Sequence, residues 1–217
     1  WNTTVANPNG GQGNWQTFSG AMIPGKGYIM RAPSSFSYST PATWTATFTG
    51  VANNGSISVP IFRGSDTNVS PHYGVNGTQI DNYSDNWNLL GNPYPSAVRA
   101  SQFLFDNRTK IMGNVRLWTH GTLPAAVSSP FYDTFVYNYS PGDYLTYNFT
   151  GASCCPAFGA DLFIGSGQGF FVQMIDGPTG SSTISFNNNQ RSYTYSNSSF
   201  YRFANPQNLS SDITNLE

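Results

Sequence analysis

Apolar and polar residues alternate with a period of two through much of this chain. In Thr43-Trp44-Thr45-Ala46-Thr47-Phe48-Thr49 the apolar side chains fall on one face and the threonines on the other. Ser56-Ile57-Ser58-Val59-Pro60-Ile61-Phe62 repeats the pattern through Ile57 and Val59. Strict alternation over six or so residues marks a strand with one dry and one wet face. Between these two runs stands Asn53-Asn54-Gly55, whose residues tolerate positive φ, so the two runs are expected to form a hairpin. Further short strands are expected at 27–31, 87–90, 115–119, 131–137, 144–149, 169–175, 183–187 and 199–203, most of them bounded by Gly, Pro or Asn. One turn of helix is expected at Ser101 to Phe105, after Pro95. Many short strands with this punctuation predict an all-β fold, an antiparallel β-sandwich of jelly-roll-like type.

Composition sharpens that reading. Glu217 is the only glutamate, charged residues are 9%, and aromatics reach 16%. Helix formers are scarce and strand formers abundant, while the aromatic content excludes a disordered chain. Net charge is -1 and the nine Lys and Arg are scattered. No basic patch of the kind nucleic acid requires is formed. No apolar run approaches the roughly 18 residues of a membrane-spanning helix.

A partial internal repeat organises the chain. Pro24-Gly25-Lys26-Gly27-Tyr28-Ile29-Met30 matches Ser166-Gly167-Gln168-Gly169-Phe170-Phe171-Val172, and each is followed by an alternating segment, 45–48 and 183–186. Two related modules are therefore expected: residues 1–83 as the C-terminal part of a first repeat, and 84–217 as a full second one. On this reading the first copy's equivalent of Trp87 to Pro93 lies upstream of Trp1, and the chain is a window on a longer protein.

The chemistry-bearing residues offer little reactivity. Gly25-Lys26-Gly27 and Gly167-Gln168-Gly169 read as turn glycines, because a phosphate loop needs a longer glycine loop, a Lys-Ser/Thr pair and a following helix. The nine aspartates, among them Asp81, Asp85, Asp106, Asp133, Asp143, Asp161 and Asp176, sit at apparent turns where Asp caps its own backbone. His72 and His120 are the only histidines, and neither stands in a nucleophile or metal-helix context. The adjacent Cys154-Cys155 pair cannot staple distant strands, and metal sites need more ligands at fixed spacing. No catalytic residue, metal site or cofactor is expected. Ten Asn-x-Ser/Thr sequons occur, at Asn2, Asn54, Asn68, Asn76, Asn82, Asn107, Asn138, Asn148, Asn197 and Asn208. With 23 asparagines in the chain, chance supplies most of them. The candidate ligand surface is a tyrosine-rich region: Tyr137, Tyr139, Tyr144 and Tyr147 with Asp143, where rings would stack on sugars and the carboxylate would bond hydroxyls. The competing assignment is that these rings fill a two-sheet core.

Several phrases taken together resemble a known family. Trp87-Asn88-Leu89-Leu90-Gly91-Asn92-Pro93-Tyr94-Pro95-Ser96, Ile23-Pro24-Gly25-Lys26-Gly27-Tyr28, Phe48-Thr49-Gly50-Val51, Gly167 to Val172 and Phe186-Asn187-Asn188 to Arg191 are similar to tandem β-rich modules of large secreted surface proteins of Bacteroidota. Those modules stand before a C-terminal sorting domain of the type IX secretion system. The resemblance implies an extracellular or cell-surface location and partners in the secretion and attachment machinery, with glycans or other surface proteins as candidate contacts. It implies a structural or adhesive role and brings no catalytic residues. The alternatives are a carbohydrate-binding module of a larger secreted enzyme, or a subunit of a surface polymer or secretion complex.

Overall fold

The structure, a computed structural model, describes residues 17–30, 33, 35, 45, 47, 49–64, 72–73, 79–80, 86–119, 143–152 and 161–197. Among these residues the fold is all-β, with antiparallel sheets, one short α-helix and a single turn of 3-10 helix at Asn188–Gln190. The strands are β1 (Ile57–Arg63), β2 (His72–Tyr73), β3 (Gln79–Ile80), β4 (Trp87–Gly91), β5 (Val98–Arg99), β6 (Ile111–Trp118), β7 (Tyr144–Asn148), β8 (Gly151–Ala152), β9 (Phe163–Ile164), β10 (Gly169–Met174) and β11 (Gly180–Phe186). Helix α1 (Ala100–Asn107) joins β5 to β6. The main sheet has the order β4-β10-β6-β7-β8, and β1 pairs with β11 over seven residues, from Ile57 opposite Phe186 to Arg63 opposite Gly180. β2–β3 and β5–β9 are small two-residue pairs.

Alternation decides which side chains enter the core. Val59 and Ile61 on β1, Ile184 and Phe186 on β11, and Leu90, Phe170, Val172, Val115, Leu117, Leu145 and Tyr147 on the main sheet belong to one buried cluster. The β1–β11 ribbon and the main sheet thus share a core, and residues on both sides of position 83 contribute to it. Inside, Phe103 packs edge-on to Phe170 at 5.4 Å and tilted against Phe186 at 5.0 Å. Edge and tilted geometries of this kind suit the ring quadrupole.

Helix α1 is longer than the expected single turn. Ala100, Phe103, Leu104 and Asn107 recur at helical spacing and are all buried, which is the amphipathic stripe a surface helix needs. The hairpin expected at Asn53-Asn54-Gly55 is corrected. Gly55 does adopt positive φ, +79°, but the strand after it pairs with β11 and not with the 43–49 segment. The described members of that segment, Thr45, Thr47 and Thr49, lie outside any strand. The strand expected at 27–31 is also corrected: its described residues, 27–30, lie outside any strand, and an isolated bridge stands just before them, Lys26 to Leu90. β6 starts four residues earlier than the pattern suggested, at Ile111. Gly113 lies there beneath Phe149, whose ring atoms approach to 3.7 Å of where a Cβ would stand. The expected strands at 131–137 and 199–203 lie outside the described residues.

Asparagine side chains hold the layers in register. The carboxamide of Asn88, on β4, accepts from Phe62 N–H at 2.8 Å and donates to Phe62 C=O at 2.8 Å. The carboxamide of Asn107, at the end of α1, accepts from Ser185 N–H at 2.9 Å and donates to Ser185 C=O at 3.0 Å. Both strands of the ribbon therefore have an outer edge bonded to an amide that imitates a neighbouring strand. Asn92 organises the turn after β4. It donates to the carbonyls of Ser96 (2.9 Å), Ile164 (2.9 Å) and Gly165 (3.0 Å) and accepts from Tyr94 N–H (3.0 Å).

Replacing Asn88 by Ala leaves the Phe62 N–H and C=O without their partner, so a loss of about 2–4 kcal/mol is expected in urea unfolding. Asn88→Asp tests the geometry further. Its carboxylate would face the carbonyls of Phe62 and Asn86, both of which Asn88 now donates to. That arrangement favours the protonated form, so the variant is expected to regain stability as pH falls through its raised pKa. A variant equally stable at pH 7 and pH 4 would contradict the clamp.

Candidate functional site

The tyrosine-rich region divides across a strand. Tyr137 and Tyr139 lie outside the described residues. Asp143, Tyr144 and Tyr147 are described, and β7 sends Leu145 and Tyr147 inward and Tyr144 outward. Tyr147 is 1% exposed, so its ring offers no face to a ligand. Asp143 is buried, and its carbonyl accepts from both the N–H and the hydroxyl of Thr119 at 2.8 and 2.9 Å. Of the described candidates, Tyr144 alone reaches the outer surface.

The Tyr147 hydroxyl ends in a polar cluster on the inner side. The Asp161 carboxylate receives Arg99 Nη2 at 2.6 Å and Ser101 Oγ at 2.6 Å, and Tyr147 bonds to it as well. The Arg99 hydrogen bond, joined by those of Ser101 and Tyr147 and opposed by burial, holds the Asp161 carboxyl below its ordinary range. Burial, reinforced by the Asp161 charge, pushes the Tyr147 phenol up. A carboxylate so stabilised is a poor proton acceptor. The arrangement fixes β5, α1 and β7 to the segment leading into β9; it does not activate Ser101 as a nucleophile. Among the described residues no group of three or more His, Cys, Asp or Glu stands close enough to hold a metal ion. The Cys154-Cys155 pair and His120 lie outside the described residues.

Tyr144 opens onto the outer face of the main sheet. Its ring meets Phe171 at 6.3 Å, Phe171 meets Trp87 edge-on at 6.4 Å, and the Arg116 guanidinium lies 4.4 Å over the Trp87 ring. The register explains the convergence: Trp118 is opposite Tyr144, Arg116 is opposite both Thr146 and Phe171, and Trp87 is opposite Gln173. Neighbouring strands thus lay aromatic rings and one cation side by side. Sequence reading missed this cluster because its members are far apart in the chain. The outward positions of alternating strands were the available signal, but strand order is needed to bring them together.

The sequons can now be sorted by geometry. Asn107 is 1% exposed and bonded on both amide atoms. Asn197 bonds Ser166 N–H and Pro95 C=O. Asn54 accepts from Arg191. Asn148 accepts from the N–H and hydroxyl of Thr150 at 2.9 and 2.7 Å. Asparagine at these four positions is engaged by backbone, by its own turn or, at Asn54, by the Arg191 side chain.

A family model described as Domain of unknown function (DUF8693) matches residues 1–215. The chain belongs to that family. Neither the curated proteins nor the solved structures yield a match. Within this DUF8693 chain the phrases from Trp87 to Ser96 and from Phe186 to Arg191 meet through Tyr94. Tyr94 packs edge-on to Phe186, donates to Gly55 C=O and carries the Arg191 guanidinium 4.3 Å over its ring. Asn187 and Gln190 form a capping box, and Gln190 reaches Asp106. No described helix is long and apolar enough to cross a membrane.

The split of β7 can be measured. Tyr147→Ala is expected to cost about 3–5 kcal/mol in unfolding experiments, whereas Tyr144→Ala is expected to cost less than about 1 kcal/mol. The Asp161 contribution to stability is present above the ordinary carboxylate pKa and is lost as pH falls through the depressed folded-state value. The melting temperatures of wild type and Asp161→Asn should therefore differ at pH 7 and converge in acid. A difference that stays constant down to about pH 2 would show that ionisation of Asp161 is not what stabilises the cluster.

Proposed function

We propose that the DUF8693 chain is a non-catalytic module of a secreted or cell-surface-anchored bacterial protein, a type IX secretion cargo whose role is structural and adhesive. The observation that carries this reading is where the polar groups go. Asn86, Asn88, Asn92, Asn107, Gln168 and Gln190 are all buried, and each bonds backbone or a structural partner. The carboxylate with a shifted pKa is paired and depressed. Polar chemistry is thus directed to holding sheets together. A chain with 9% charged residues is also little affected by salt, since exposed charge–charge terms are the ones that screening removes.

A second reading, a carbohydrate-binding module of a larger enzyme, draws on one observation. Tyr144, Phe171, Trp87 and Arg116 gather on one sheet face, and aromatic rings with a cation suit sugar stacking and hydrogen bonding.

Limited proteolysis of intact cells of the source organism addresses location: release of peptides from residues 1–217 is expected, and recovery from the cytosol alone would sink the reading. A glycan array then separates the two functions. The structural reading expects no saturable glycan binding. Binding that Trp87→Ala or Tyr144→Ala abolishes at an unchanged melting temperature would establish the second reading instead.

A further inference from the structure

The two copies of the Gly-x-Gly phrase form the same turn. Lys26 N–H donates to Ile23 C=O at 3.1 Å, and Gln168 N–H donates to Gly165 C=O at 3.1 Å. Gly25 and Gly167, at the same place in each turn, have φ of +82° and +69°. A four-residue turn closed by this bond with positive φ at its third residue is the type II form. The two turns also meet the same strand from opposite edges. Gly91 N–H donates to Gly25 C=O at 3.0 Å, and Asn92 N–H, the next along the chain, donates to Gln168 C=O at 3.0 Å. The end of β4 is held between two copies of one turn. Close approach enforces glycine in the first: a Cβ on Gly25 would overlap Val59, and one on Gly27 would overlap Leu89.

Beyond the two turns the chain takes different courses. After Gly167-Gln168-Gly169 it becomes β10, paired with β4 on one edge and β6 on the other. Val172 of β10 is 0% exposed. After Gly25-Lys26-Gly27 the pairing among the described residues ends with the Lys26–Leu90 bridge and the bond from Gly27 N–H to Leu89 C=O at 3.0 Å. Met30 stands where Val172 stands in the matching phrase, and it is 55% exposed, with Ile29 at 48%. Tyr28, between them and the turn, is half-buried, with its ring against Phe18 at 4.9 Å and its hydroxyl accepting from Ile23 N–H. The exposed Ile29-Met30 pair that follows a strand-initiating turn has the character of a pairing edge without its strand.

We propose that Tyr28–Met30 is a docking edge for an extended strand of the Trp-Asn-Leu-Leu-Gly type, contributed by another copy of this repeat. The occupant is set by the equivalent copy. There the Gly-x-Gly strand pairs with Trp87–Gly91 over five residues, from Gly169 opposite Gly91 to Gln173 opposite Trp87. Strand addition of this kind takes its affinity from main-chain hydrogen bonds and its specificity from alternate side chains. This inference rests on the reading of the chain as a structural module and names its partner. Its test involves neither cell location nor glycans, so the two can fail separately.

The probe is a synthetic peptide with the sequence of residues 85–96, titrated into the isotopically labelled full chain. Saturable amide shifts confined to residues 22–30 are expected, with new hydrogen-exchange protection at Tyr28 to Met30. Met30→Asp should weaken binding by at least about tenfold at an unchanged melting temperature, because the side chain is exposed in the free chain. A peptide carrying Asp in place of Leu89 and Leu90 should not bind, and Phe105→Ala, on α1, should bind as wild type. No binding up to roughly millimolar peptide would overturn the proposal. Shifts centred on β10 would overturn it too, since the peptide would then be displacing β4.

Discussion

An asparagine side chain carries a donor and an acceptor on one carbon, spaced as in a peptide group, and this fold depends on that equivalence. Among the described residues the β1–β11 ribbon has two strands, and a ribbon of two is marginal by itself. Its outer edges present backbone groups that must be satisfied where water is excluded. Asn88 answers for Phe62 on one edge and Asn107 for Ser185 on the other. One clamp comes from β4 and the other from α1, so the ribbon is tied to both the main sheet and the helix. The apolar cluster of Val59, Ile61, Ile184 and Phe186 supplies most of the driving force, while the amides fix the register in which that burial occurs. Removing one would leave peptide groups unpaired, which is why the predicted cost exceeds that of an ordinary hydrogen bond.

The same chemistry explains the turn after β4. Pro93 and Pro95 interrupt the ladder because proline has no N–H to give. The carbonyls of Ser96, Ile164 and Gly165 then converge on the Asn92 amide. A lysine there would bring a charge that the dry site could not solvate. The chain's poverty in charge and wealth in asparagine are thus two aspects of one solution.

Local pattern carried much of this fold. The alternation in β1 placed Val59 inside with its neighbours Ser58 and Pro60 outside, and β4, β7, β10 and β11 lie close to where periodicity located them. What failed was partner choice. The Asn-Gly signal at Gly55 correctly marked positive φ, but hairpin statistics reward nearest neighbours, whereas β1 pairs at long range with β11 and shares the core with its Ile184 and Phe186. The helix was underestimated because its stripe ends in Asn107, a polar residue that only a specific tertiary partner makes buriable. Of the tyrosine site, Tyr144 and Tyr147 could have been separated by parity alone, since they are three residues apart on one strand and so face opposite ways. The Trp87–Phe171–Tyr144–Arg116 cluster needed strand order, which no local signal encodes.

Parity and repetition also bear on how the module is built. β4 receives one Gly-x-Gly turn on each edge, and the amides of Gly91, its last residue, and of Asn92, the next, point to opposite neighbours as successive residues of an extended chain must. One of those neighbours lies more than sixty residues before β4 and the other more than seventy after it. A strand bonded this way does not belong to one repeat alone: its two edges read the same signal from two copies. An interface made of a strand and its own repeat's turn is duplicated whenever the repeat is duplicated, with complementarity already present at its first appearance. Exposed Ile29 and Met30 obey the same logic, because the second turn continues into a buried strand and the first, having met only the tip of β4, does not.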